Sequence, residues 1–308
     1  MKNLTSILIT TALTAIIMVN SSIAQVAINI DGSLPDSSAM LDVKSTSKGL
    51  LLPRMSTTQI SYIVNPAAGL LVFNTDSSDF YGYNGIKWVS LWNTGDTISP
   101  WSCGDPVTYE GQSYATVQIG AQCWFAENLK YLPSVSPSTN GSKTDPYYYV
   151  YDYQGTNVSE AKATTNFQTY GVLYNWTAAL TACPPGWHLP SDDEWKILEI
   201  SLGMSLSEAN NTFWRGTDEG GKMKETGTAH WQSPNTGATN SSGFTALAGG
   251  YRDGYGAFSY LGYRCYWWPS SGYTGSTAWF RGMLNNNSQV YRYHGSKMLG
   301  LSVRCLKN

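Results

Sequence analysis

The stretch Cys183-Pro-Pro-Gly-Trp-His-Leu-Pro-Ser-Asp-Asp-Glu-Trp195 decides how the larger part of this chain is read. It joins a cysteine, a rigid Pro-Pro-Gly turn, two tryptophans and a helix start. Ser191 is placed to cap a helix, and Glu194, three residues on, to close a capping box. Asp192 and Asp193 favour the positive end of the helix dipole. Trp195, Leu198 and Leu202 recur at helical spacing, and Gly203 supplies a stop. The pattern predicts a helix over Ser191–Leu202, pinned to a core and available for covalent anchoring through Cys183. It reads as structural rather than catalytic.

Charged residues make up 13% of the 308, about half the usual share, while Tyr (21) and Trp (12) are abundant. That balance points to an extracytoplasmic protein rich in strands and loops. A formal net charge of −2 gives no reason to expect nucleic acid or an anionic membrane as partner. Residues 1–24 read as a secretory signal: Lys2 precedes an uncharged apolar run from Ile7 to Val19, and Ser22-Ile23-Ala24 suits cleavage before Gln25. The apolar run is shorter than the roughly 20 residues a membrane span needs. No later segment reads as a span, and no cysteine follows the cleavage site to carry a lipid.

Export permits disulfides. The cysteines are Cys103, Cys123, Cys183, Cys265 and Cys305, an odd number that leaves at least one unpaired or bonded between chains. Sequence alone leaves the connectivity open. The preferred pairs are Cys103–Cys123, a local clasp, and Cys183–Cys305, tying the helix start to the last strand, with Cys265 left over.

The segment 25–97 has a texture of its own. Gly49-Leu-Leu-Leu-Pro-Arg54 and Gly69-Leu-Leu-Val-Phe-Asn74 are separated by polar turns, and Asp79–Leu91 predicts a hairpin turning at Asn84-Gly85. With few core residues and no cysteine, it reads as a small β module that needs a neighbour or copies of itself. Thr97–Trp101 is the expected linker, and 98–308 the second domain. There Val107–Gly120 predicts a hairpin turning at Glu110-Gly111, with Ala115, Val117 and Ile119 on one face. Leu132–Thr169 reads as a long loop with a short hairpin. Leu173, Trp176 and Leu180 predict a first helix within Tyr170–Leu180. Gly243–Arg252, Tyr266–Trp268, Thr277–Arg281 and Leu301–Cys305 are strand candidates. Two helices among short, loop-rich antiparallel strands define an α+β domain preceded by the small β module.

Two family resemblances enter at this point. Ser38-Ala-Met-Leu-Asp-Val-Lys-Ser-Thr-Ser-Lys-Gly-Leu-Leu-Leu-Pro-Arg-Met55, Asn65–Thr75 and Tyr83-Asn-Gly-Ile-Lys-Trp88 resemble the N-terminal module of Bacteroidetes surface proteins. That module is similar to segments of fibre-like proteins and implies a stalk or adaptor and a homo-oligomer. Val117-Gln-Ile-Gly-Ala-Gln-Cys-Trp-Phe-Ala-Glu-Asn-Leu129, Tyr170–Trp176, Cys183–Trp195, Gly221–Gly227, Trp231–Thr239, Gly243–Arg252 and Leu301–Cys305 resemble the Fibrobacter succinogenes major paralogous domain. The resemblance implies a C-type-lectin-like fold shared with formylglycine-generating enzymes, in which the first and last parts of the domain pair as neighbouring strands.

Catalysis finds little support. His188, His230 and His294 are the only histidines, none at metal-ligand spacing, so no zinc site and no other cofactor is expected; calcium at an oxygen-rich loop stays open. The contexts of Cys265 and Cys305 do not reproduce the reactive pair that formylglycine-generating relatives use. The Glu-Pro-Asn and Trp-Asn-Asp motifs of calcium-dependent lectins do not occur in the domain. The surface expected to bind is Ala278–Lys297: Trp279, Arg281, Met283, Asn285, Asn286, Asn287, Gln289, Tyr291, Tyr293, His294, Ser296 and Lys297 mix rings, amides and cations that suit recognition. Asn285–Asn287 would form a turn, and Gln289, Tyr291 and Tyr293 would share one face opposite Val290 and Arg292. This region resembles the variable part of lectin-fold proteins diversified by retroelements. The expectation is a secreted or surface-exposed, non-enzymatic protein that binds a glycan or a protein. The rivals are a fibre component without a specific ligand and, third, a formylglycine-generating-type oxidase.

Overall fold

A computed structural model describes residues 25–93, 95, 97–98 and 101–308. The expected signal, 1–24, and Ser99-Pro100 of the expected linker lie outside the described residues. The chain divides into two compact units, Met1–Pro100 and Trp101–Asn308.

In the first unit β1 (Val26–Ile28) and β2 (Leu41–Val43) pair in parallel. A five-stranded sheet follows from β3 (Arg54–Met55), β4 (Leu71–Asn74), β5 (Asp79–Tyr83), β6 (Trp88–Ser90) and β7 (Thr97–Ile98), with α1 (Thr57–Ser61) between β3 and β4. The hairpin at Asn84-Gly85 forms as expected: Asn84 Oδ1 accepts from the Ile86 and Lys87 amides, and Gly85 takes φ +93°. Thr97 and Ile98, expected in the linker or beyond, instead add the edge strand β7, paired with Val89 and Trp88. Among the described residues, buried apolar packing in this unit gathers at Ile60, Val72, Tyr81 and Trp88, flanked by Met55, Ile63 and Tyr83. By contrast Ile30 is 92%, Leu34 89% and Leu51 78% exposed. So small a core leaves the unit short of apolar burial, the condition under which folding draws on further surface.

The second unit begins with the hairpin β8 (Val107–Tyr109) and β9 (Gln112–Tyr114), followed by β10 (Thr116–Ile119) and β11 (Gln122–Phe125). The expected single face through Ala115, Val117 and Ile119 fails. Tyr114 and Thr116 are buried and Ala115 is exposed, because β9 and β10 belong to different sheets and the chain changes sheet at Ala115. The segment expected as a long loop contains β12 (Tyr148–Tyr149), α2 (Val158–Ala163) and α3 (Thr165–Tyr170). Thr164 ends one helix and caps the next, accepting from the Phe167 amide. The helix expected within Tyr170–Leu180 is replaced by β13 (Leu173–Tyr174) and α4 (Trp176–Ala179). Gly171 breaks it at φ +77°, where a Cβ would lie 2.8 Å from the Leu129 carbonyl, and Asn175 caps a new turn by accepting from the Ala178 amide.

After β14 (Trp187–His188), α5 (Asp192–Ser201) forms with the predicted capping box between Ser191 and Glu194. It ends before Gly203, at φ +122°. Then come α6 (Leu206–Ala209), β15 (Phe213–Arg215), α7 (Glu219–Met223), β16 (Gly249–Arg252), β17 (Phe258–Leu261), β18 (Arg264–Trp267), β19 (Thr277–Leu284), β20 (Val290–Ser296) and β21 (Leu306–Lys307). The unit is thus mixed α/β, with short helices and open sheets, more helical segments than the two expected. Leu301–Cys305 makes bridges at Leu301 and Ser302 rather than a strand.

Two sheets organise this unit. In the first, in the order β10-β11-β21-β14, the last strand lies between early ones, with Trp124 opposite Leu306 and Trp187 opposite Lys307. The disulfides Cys103–Cys123 and Cys183–Cys305 close around it. The second closes a loop spanning 122 positions, worth about 4–5 kcal/mol in the chain-entropy account. The larger sheet runs β15-β20-β19-β18-β16-β17, antiparallel except for the parallel contact of Gly250 with Cys265. Its inner face supplies Cys265, Trp267, Met283 and Val290 to a core shared with Trp124, Trp195, Leu198 and Phe244.

Helix α5 meets that inner face through charge. Asp192 and Glu199 sit two turns apart. Arg215 clasps both oxygens of Glu199 at 2.6 and 2.7 Å. Arg281 spans Glu199 and Asp192, at 2.7 Å each, and Arg292 holds both oxygens of Asp192 at 2.9 and 2.7 Å. All five side chains are buried. Burial would raise the Asp192 carboxyl, but the hydrogen bond from Arg292 and the charge and hydrogen bond of Arg281 together hold it well below the usual carboxylate range. Glu199→Gln, which leaves buried guanidinium charge uncompensated, is expected to cost about 3–5 kcal/mol, read as a fall in the denaturation midpoint of the second unit. The depressed Asp192 value means that its contribution is complete above about pH 4 and is lost as pH falls from there through the folded value. Asp192→Asn should therefore flatten the acid limb of the stability curve.

Candidate ligand-binding surface

The β19–β20 hairpin sets the geometry. Its register places Trp279 opposite His294, Arg281 opposite Arg292, and Phe280 opposite Tyr293. Directly opposed residues share a face, so the two faces of the hairpin separate cleanly. Val290 and Arg292 turn inward, and Tyr291 and Tyr293 stay half-exposed on the other side.

On that outer face each strand of the larger sheet presents one ring. Trp214 on β15 lies 4.8 Å from Tyr291 on β20, and Tyr291 lies 5.9 Å from Phe280 on β19. Phe280 is 5.5 Å from Tyr266 on β18, which is 5.2 Å from Tyr251 on β16. Tyr251 stacks at 6.0 Å on Tyr260 of β17. Tyr293 extends the row beside Phe213, at 4.9 Å. Gly282 makes room, since a Cβ there would lie 2.6 Å from the Tyr266 ring. Each such ring pair contributes about 0.5–1.5 kcal/mol beyond its area. Arg264 lies over the Tyr260 ring at 4.0 Å and donates to the Tyr266 hydroxyl at 3.3 Å. At the β16 end the row borders a cavity of about 390 Å³ lined by Tyr251, Asp253, Gly254, Tyr255, Tyr266, Phe280, Leu299 and Leu301.

The hairpin residues expected to bind do not stay together. Tyr291 and Tyr293 belong to the aromatic row. Arg281, Met283 and Asn285 are buried and cannot present a surface. Arg281 is committed to the α5 carboxylates, Met283 to the core, and the Asn285 amide to the carbonyls of Gln232 and Ser233. Trp279 lies on the inner side with Arg292 over its ring at 3.7 Å. His294 stacks on Tyr273 at 3.9 Å, and Lys297 lies over Trp176 and donates to Gly275. Ser296 accepts from the Met298 amide. Asn286 is exposed at the turn, Asn287 Oδ1 accepts from the Gln289 amide, and the Gln289 side chain donates to Gly216. Buried Lys224 donates to the carbonyls of Thr236, Leu284 and Asn287, which fixes that turn. Burial pushes its amine down to about 8.

The sequence reading missed Trp214, Tyr251, Tyr260, Tyr266 and Phe280. The signal was present: Phe280 alternates with Trp279 and Arg281, and Tyr266 with Cys265 and Trp267. Among the described residues no group of three or more His, Cys, Asp or Glu side chains could hold a metal ion. His188 lies between Asn308 and Glu194, and His230 against Glu225. Cys265 is buried in the core, where desolvation drives its thiol well above the usual range.

These features define a disulfide-closed, mixed α/β domain carrying an aromatic sheet face. The chain belongs to the Fibrobacter succinogenes major domain family, whose model matches residues 117–307, more than half its length. Residues 27–101 match a phage tail like trimerisation region. No curated protein and no solved structure matches the chain. Among the described residues no helix is long and apolar enough to cross a membrane. Cys265 is expected to resist alkylation in the folded protein and to react stoichiometrically in denaturant, as read by mass spectrometry.

Proposed function

We propose that this is an extracytoplasmic, non-enzymatic recognition protein that assembles through its first unit and binds a glycan or protein on the outer face of its six-stranded sheet. The observation that carries this reading is the row of rings across every strand, with Trp214, Tyr251, Tyr266, Tyr291 and Tyr293 half-exposed, Tyr260 exposed and Phe280 buried between Tyr266 and Tyr291. Large rigid aromatic surfaces bind with little loss of side-chain entropy, and soluble domains seldom leave such a continuous patch without use. The resemblance to C-type-lectin-like domains fits the pairing of early and late strands and the two disulfides. If the late region is diversified among copies, burial restricts that variation to the outer row and turn, because Arg281, Met283 and Asn285 hold the fold.

Assembly is supported by the match of residues 27–101 to a trimerisation region and by the exposed apolar side chains of that unit. The disulfides favour an oxidising compartment. A non-enzymatic role is supported by the cysteines. Cys305 is bonded to Cys183 and Cys265 is buried, so neither offers the accessible thiol that an oxidase of the formylglycine-generating type would need. The fibre-component rival predicts no specific ligand.

On glycan and protein arrays, replacing Tyr291 and Tyr293 together by Ala should weaken binding about ten-fold or more. Unchanged binding would place recognition elsewhere. Light scattering of the mature chain should give a trimer mass that falls to that of a monomer when residues 25–100 are removed.

A further inference from the structure

The aromatic row is not uniform along its length: Tyr251, Tyr266 and Phe280 border the cavity described above. That cavity, of about 390 Å³, lies at the small end of the range for small-molecule sites, about 300–1,000 Å³. Its walls are chemically distinct. Tyr251, Tyr266 and Phe280 present rings that meet at steep angles, 75° between the first two and 83° between the last two, so they form a corner rather than a flat shelf. Leu299 and Leu301 close the apolar side. Asp253 supplies the carboxylate. Its Oδ1 accepts from the amides of Tyr255 and Ala257 at 2.8 and 2.9 Å, which shapes the loop and leaves Oδ2 without a hydrogen-bond partner among the described residues.

Tyr255 stands at the tip of that loop, 98% exposed and flanked by Gly254 and Gly256. Gly256 takes φ +99°, and a Cβ there would lie 2.6 Å from the Ser138 carbonyl. The loop is therefore held at its base while its aromatic tip, which also lines the cavity, has little packing to hold it.

Charge narrows the occupant. The Asp253 carboxylate disfavours an anion. The Arg264 guanidinium, bonded to the hydroxyl of the wall residue Tyr266, disfavours a cation. What remains is a neutral molecule with an apolar face for the rings and hydroxyls for a carboxylate and three tyrosine hydroxyls. A pyranose has that character: its C–H face packs on aromatic rings, and its edge donates to carboxylate oxygen. We infer that the cavity bounded by Tyr251, Asp253, Tyr255, Tyr266 and Phe280 binds a neutral sugar unit without calcium, with Tyr255 folding over it. This inference rests on the recognition function proposed above and names its ligand class.

The test is calorimetric titration of the full mature chain, in EDTA, with cellobiose, maltose and N,N′-diacetylchitobiose as neutral probes. Sialyllactose serves as the anionic probe and choline as the cationic one. At least one neutral disaccharide should bind. Asp253→Asn and Tyr266→Ala should each weaken it about ten-fold or more, and Tyr255→Ala about three-fold. The loop variants Asp253→Asn and Tyr255→Ala keep the test informative if Tyr266→Ala lowers the melting temperature. Preference for sialyllactose or choline would overturn the inference, as would absence of binding by all five probes while array binding persists. Neutral-sugar binding that survives Asp253→Asn and Tyr266→Ala but is lost in Tyr291→Ala would also overturn it, while leaving the recognition function intact. Absence of binding on the arrays as well would remove both.

Discussion

The second unit depends on one buried arrangement of charge: two carboxylates of α5 held by three guanidiniums from β15, β19 and β20. Ion pairs taken out of water seldom stabilise more than well-packed apolar groups would. Their strength here lies in direction. Arg215 and Arg292 each grip both oxygens of one acid, and Arg281 bridges the two. A helix that slid or rotated against the sheet would leave several charges unpaired in a dry interior. The helix is thereby fixed in register, and so are the strands, because the arginines on β19 and β20 can reach the acids only when Arg281 stands opposite Arg292.

That constraint produces the outer face. Strand side chains alternate, so fixing Arg281 and Arg292 inward directs Phe280, Tyr291 and Tyr293 outward. The same parity carries through β18, where Cys265 and Trp267 are buried and Tyr266 lies between them, half-exposed. A shift of one residue would bury the rings and expose the guanidiniums. The aromatic face is therefore the reverse side of the ion cluster.

Much of this was legible in the chain. The capping box at Ser191 and Glu194, the Asn84-Gly85 hairpin and the strands around Asn285–Asn287 rest on local chemistry, and all formed as read. The failures were of tertiary origin. Leu173, Trp176 and Leu180 have helical spacing, yet Gly171 must pass close to the Leu129 carbonyl, and no local signal records that contact. Arg281 looked like a surface cation because arginine usually is one; its partners lie 82 and 89 positions away. Asp192 has a sufficient local reason to sit at a helix start, and its pairing with Arg281 and Arg292 has no local sign. Phe280 and Tyr266 stand next to Trp279, Arg281, Cys265 and Trp267, and only the strand register shows which neighbours share a face.

The bond between Cys183 and Cys305 has a consequence for how the domain would meet a peptidase. It encloses α5, the whole larger sheet and the exposed loop at Tyr255. A peptidase that cut once at that tip would sever the backbone and release nothing, because both pieces would stay joined through sulfur. The loop at Tyr255, 98% exposed at its tip, can therefore be cut while its two halves remain tethered for reassembly.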